Sequence, residues 1–127
     1  MKPQIPRLWA SALLLSWVSF ASVLAPPVQA FNATAGVILA APERYDRQVV
    51  TLGGTVTNLS QRVSQRGNAY YTFDLQDTTG RIRVFSFGEV PCPEGRQAIV
   101  DGTFEAAKRM GRYTFYNEVT ASRVICR

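Results

Sequence analysis

Between Arg81 and Phe87 the chain reads Arg-Ile-Arg-Val-Phe-Ser-Phe, and its alternate residues Arg81, Arg83, Phe85 and Phe87 combine two kinds of non-covalent chemistry. Guanidinium groups grip phosphate or carboxylate oxygens through paired hydrogen bonds. Aromatic rings offer flat faces to planar groups such as unstacked bases. Side chains two apart in an extended segment share one face, so this spacing sets all four on one side and Ile82 and Val84 on the other. Tyr70 and Thr72 hold similar positions on the preceding extended run. Further cations cluster in two polar stretches, Arg62 and Arg66 before that run and Lys108, Arg109 and Arg112 near the C-terminal end, with Tyr113 directly after.

Covalent chemistry has far less to work with. The 127 residues include no His, which removes the commonest general base, the commonest metal ligand and any Ser–His or Cys–His pair. Asp74 and Asp77 stand close together, but beside the turn Asp77-Thr-Thr-Gly80, where a carboxylate serves backbone hydrogen bonding. Gly53-Gly54 is not followed by Lys-Ser/Thr and is no phosphate loop. Cys92 and Cys126 are too far apart, and too few, for a zinc site. The expectation is a binding protein without catalysis, metal or cofactor.

The elements that must position these groups are mostly strands. A short helix is expected between Val37 and Tyr45, with Val37, Ile38, Ala41 and Tyr45 on one side and Pro42 interrupting it. From Gln48 to Leu59 β-branched residues alternate in a long strand, with Gly53-Gly54 expected to mark a bulge or sharp coil rather than a stop. Gln61 to Asn68 reads as a basic loop. Ala69 to Gln76 is the second strand, with Tyr71, Phe73 and Leu75 on one face; Arg81 to Phe87 is the third. After an irregular connection through Pro91-Cys92-Pro93, Arg96 to Ala106 is the fourth, with Ala98, Val100 and Phe104 inward and Gly102 easing a bend. Lys108 to Arg112 is a hairpin tip, and Tyr113 to Ile125 the fifth strand, with Tyr113, Phe115 and Tyr116 assigned mainly to core and rim. Five strands with little helix predict an all-β, small closed barrel. A last hairpin centred near Arg109 brings Cys92 and Cys126 side by side, which predicts a disulfide with a stabilisation of roughly 3–4 kcal/mol.

From about Val37 to Val124 the chain resembles the oligonucleotide/oligosaccharide-binding (OB) fold, in its anticodon-binding-like branch. The resembling pieces are Ala41-Pro-Glu-Arg-Tyr-Asp46 leading into Val50-Thr-Leu-Gly-Gly-Thr-Val56, then Arg66 to Gly80, Ile82-Arg-Val-Phe85, Glu94-Gly95, Val100-Asp-Gly-Thr-Phe104 and Gly111 to Ala121. The resemblance implies a ligand lying across the second and third strands, flanked by the first–second and fourth–fifth loops. On that reading a single-stranded nucleic acid is held by Arg62, Arg66, Arg81, Arg83, Lys108, Arg109 and Arg112 on phosphates, with Tyr70, Phe85, Phe87 and Tyr113 against bases. An exported haem chaperone of the same fold holds its haem through a histidine, and this chain has none. A protein partner in the cell envelope, or an anionic glycan or small ligand, fits the same residues.

The N-terminus bears on where such binding takes place. Lys2 and Arg7 precede an uncharged run from Leu8 to Ala25, then Pro26-Pro27 and Val28-Gln29-Ala30. That order matches a secretory signal peptide, residues 1–30, cut after Ala30, and hence a periplasmic or secreted protein. Left uncut, the same run is long enough for a membrane anchor. Residues 31–36 then read as a flexible leader and 37–127 as the domain. Without Lys2 and Arg7 the chain keeps 12 basic residues, all but one of them Arg, against 9 acids. This balance suits a polyanionic partner and is equally compatible with an ordinary solvated surface.

Overall fold

The computed structural model describes residues 31–127. The expected signal peptide and its expected cleavage site lie outside the described residues. The elements run β1 (Phe31–Asn32), α1 (Ala35–Ala40), α2 (Pro42–Tyr45), β2 (Val49–Val63), β3 (Ala69–Gln76), β4 (Arg81–Phe87), β5 (Gln97–Met110) and β6 (Tyr113–Cys126). The strands pair in the order β1-β2-β3-β4-β6-β5, and β2 pairs again with β5. Five strands thus form a closed ring, antiparallel throughout except where β4 runs parallel to β6. This five-stranded barrel, with a long first barrel strand shared between two neighbours, is the OB fold.

Alternation explains the core. Tyr71, Phe73 and Leu75 of β3, Ile82 and Val84 of β4, and Ala98, Val100 and Phe104 of β5 all point inward and are buried. Val50, Leu52 and Val56 of β2 complete the wall. Helix α1 is capped by the Thr34 hydroxyl on Val37 N–H, and Pro42 opens the separate turn α2. The helix buries Ala35 and Ile38, whereas Val37, expected on the apolar side, is half exposed.

Three other expectations are corrected. Residues 31–36 are tied down rather than a free leader: Phe31 and Asn32 pair in parallel with Val50 and Thr51, and α1 already begins at Ala35. Gly53-Gly54 carries no bulge, since β2 keeps an even register with β5 from Val49 to Thr55. Gly54 is needed because a β-carbon there would lie 2.6 Å from the Gln76 carbonyl oxygen, where β2 passes from β5 to β3. The bulge falls instead between Thr57 and Ser60, with Asn58 in the left-handed region at φ 51°. Finally, the last hairpin turns at Gly111-Arg112, with Met110 opposite Tyr113, so Cys126 faces Ala98. Cys92 reaches it from the β4–β5 connection, outside the hairpin. The Cys92–Cys126 disulfide does form, with the two Cα atoms 5.2 Å apart.

Candidate functional site

Because β2 extends to Val63 and β5 to Met110, the β2–β3 and β5–β6 hairpins project beyond the barrel wall. Between them, over the outer faces of β3 and β4, lies a groove of about 880 Å³. Among the residues expected to bind, Arg62, Tyr70, Arg83, Phe85, Phe87 and Tyr113 line it. Sequence-distant segments are therefore gathered by barrel closure. A second concavity of about 860 Å³, beside Gly53 and Gln76, has no aromatic lining and Arg127 as its only cation.

The floor of the groove is an aromatic cluster. Phe85 stands opposite Thr72 on β3, and Tyr70 opposite Phe87. The Tyr70 and Phe85 ring centroids are 5.6 Å apart, and Phe87 meets Phe85 edge-on at 5.0 Å. Phe85 is consequently 8% exposed, while Phe87 is 64% and Tyr113 66% exposed. One face of Phe85 is also taken, because the Lys108 ammonium lies 4.1 Å from its ring centroid. Phe85 supports the platform and is not itself a stacking surface. Phe87 and Tyr113 are the open rings. Tyr116, assigned to core and rim, is 70% exposed as well.

A charge network crosses the same floor. Glu118 is nearly fully buried; it accepts a hydrogen bond from Lys108 Nζ at 3.2 Å and pairs with Arg83 Nε at 3.3 Å. Lys108 also donates to the Thr120 hydroxyl at 3.2 Å. The register sets Arg83 directly beside Glu118 on the parallel β4–β6 pair, and Asn117 at φ 54° kinks the chain just before it. The Arg83 guanidinium carbon is 5.9 Å from the centre of the Phe115 ring, which also lines the groove. Arg62 donates through Nε to the Ser60 hydroxyl at 3.2 Å. Two cations sharing one carboxylate leave a net +1 on the floor, less than the count of basic residues suggests.

The remaining basic positions stand apart. Arg81 lies at the far end of β4, with Nη1 4.0 Å from Asp74. Arg109 faces a shallow depression with Asp46, Arg47 and Glu105. Arg66 and Arg112 sit at the two hairpin turns, exposed and outside the groove lining. Glu118 and Phe115 were the functional neighbours missed. Glu118 offers no local signal, since an acid flanked by Asn117 and Val119 reads as an ordinary surface residue.

At the opposite end of β3, Asp77 performs the structural role its turn position implied. Burial pushes its carboxyl up, but hydrogen bonds from the Thr79 hydroxyl and from the backbone of Ala35, Thr79 and Gly80 together hold it below its usual value of 3.8.

No protein-family model and no curated protein matches the chain. Solved structures do. Yeast Stn1 and Ten1 superpose with a TM-score of 0.59 at 12% identity, over 78% of this chain and 63% of that one. A Leishmania major chain described as an aspartyl-tRNA synthetase gives 0.54, also at 12% identity, over 77% of this chain and 21% of the other. The chain thus spans less than two thirds of the length of either. At such identity the likeness is one of fold.

Proposed function

We propose that this protein is a non-catalytic OB-fold binding protein whose groove holds single-stranded nucleic acid. One observation carries the reading: barrel closure sets the open rings of Phe87 and Tyr113, with the half-covered Tyr70 on the floor, beside Arg62 and the half-exposed Arg83 in one trough between two hairpins. Successive bases lie against the rings, and the backbone phosphates meet the guanidinium groups. Arg66 and Arg112, at the hairpin turns, add long-range attraction without direct contact on the floor. The similarity of fold to Stn1–Ten1 and to an aspartyl-tRNA synthetase is consistent with this use of the barrel. The signal-like N-terminus and the Cys92–Cys126 disulfide support a periplasmic or secreted location.

Titrating the protein with fluorescent oligothymidine at two salt concentrations tests the proposal. Expected is a Kd on the order of micromolar at low salt that weakens steeply as salt rises. Absence of binding at low salt overturns it. A second reading has its own support, because Val63, Phe87, Met110, Tyr113 and Tyr116 expose large apolar area on and around the two hairpins, which suits a polypeptide of the cell envelope. A partner that is retained from an envelope fraction after nuclease treatment favours that reading.

A further inference from the structure

Glu118 is the one buried charged residue among the described residues, and simple attraction of phosphates leaves it unexplained. A groove built only to collect anions gains nothing from a carboxylate on its floor. The donors around it show what it does. Lys108 is mostly covered; it gives hydrogen bonds to Glu118 and Thr120 and sets its charge over Phe85. It therefore holds the floor together and has little left for a ligand. Arg83 is different. It meets Glu118 through Nε, and with its side chain 49% exposed it keeps N–H groups open to solvent.

We propose that Glu118 is a resident counter-ion that selects the ligand: the groove admits chains with spaced single charges and planar rings, and rejects compact polyanions. The proposal rests on the reading of the groove as a nucleic-acid site. A phosphodiester brings one charge per linkage, which the outer edge of Arg83 accepts while the neighbouring phosphate reaches Arg62. A tripolyphosphate packs several charges into the space of one linkage, and those nearest the floor face the Glu118 carboxylate. Like charges in such proximity at a partly solvated site cost about tenfold in affinity.

The test compares the wild-type protein with Glu118→Gln against two probes, oligothymidine over a salt series and inorganic tripolyphosphate. Glu118→Gln should bind oligothymidine about tenfold more tightly at low salt, with the log–log salt slope steeper by about 0.7 for one added phosphate contact. It should also bind tripolyphosphate at concentrations where the wild type does not. A purely structural Glu118 would alter the melting temperature and leave the salt slope and the tripolyphosphate response unchanged; that result overturns the proposal. If wild type ignores oligothymidine while Glu118→Gln gains tripolyphosphate binding, the counter-ion role stands and the nucleic-acid reading falls. Should Glu118→Gln fail to fold, the double variant Lys108→Met with Glu118→Met removes the buried pair together and still releases Arg83. A folded double variant that gains tripolyphosphate binding supports the counter-ion role, and one that gains none overturns it.

Discussion

The turn after β3 and the groove over β3 and β4 show how one barrel separates stability from binding. At the Gln76 end, a single carboxylate gathers the chain: Asp77 accepts hydrogen bonds from Ala35, Thr79 and Gly80, and so joins the start of α1 to the β3–β4 turn. Ile38 is fully buried there as part of the core. On the outer face of β3 and β4, another carboxylate, Glu118, beside Arg83, gathers side chains instead of backbone, and Phe87 and Tyr113 of the same groove stay in solvent. Backbone donors are satisfied once and have no further role. Charged side chains and open rings keep donors, faces and charge to offer. A carboxylate satisfied by backbone donors fixes a turn, whereas one satisfied by cationic side chains sets the charge of a surface.

The sharpest test sets two phenylalanines against each other. Phe104→Ala, inside the barrel, should cost about 3–5 kcal/mol of stability, whereas Phe87→Ala on the groove should leave stability nearly unchanged and weaken oligothymidine binding by roughly 1–3 kcal/mol. Denaturant melts and titrations on both variants check this. If Phe87→Ala unfolds the protein, or binds as the wild type does, the separation is wrong. Removing the disulfide by Cys92→Ala and Cys126→Ala comes next. It should cost about 2–4 kcal/mol and leave affinity unaltered, because Cys126 pairs beside Ala98, at the end of β6 away from the hairpin tip.

The smallest effect concerns pH. Since the folded Asp77 carboxyl titrates below its unfolded value, its contribution to stability is full above about pH 4 and fades as pH falls through the lower folded value. Wild type should therefore melt higher than Asp77→Asn at neutral pH, with the gap closing in acid. A gap independent of pH would show that packing, not the charge, does the work.

Much of the fold was legible in the order of residues because its signals are local. The boundaries of β3 and β4, the inward set Tyr71, Phe73, Leu75, Ile82 and Val84, and the Asp77-Thr-Thr-Gly80 turn all follow from alternation and turn chemistry within a few positions. Register was less legible. The turn of the last hairpin was expected near Arg109 and lies at Gly111-Arg112, since a run of Lys-Arg-Met-Gly-Arg leaves several turn positions open. The helix face was misjudged at Val37 because two turns of helix are too short for periodicity to settle which side faces the core.

The candidate site divides along the same line. That Arg83, Phe85 and Phe87 share a face of β4 is a consequence of spacing two along an extended chain, and no partner was needed to know it. Whether a ring on that face is open or covered depends on what the neighbouring strands bring over it. Lys108 reaches Phe85, and Glu118 reaches both Lys108 and Arg83, only because the barrel closes with β4 parallel to β6 and β6 hairpinned to β5. Side-chain direction along one strand is a property of its own backbone. Exposure and net charge are properties of surfaces assembled from several strands, and closure of the barrel is what settled them here.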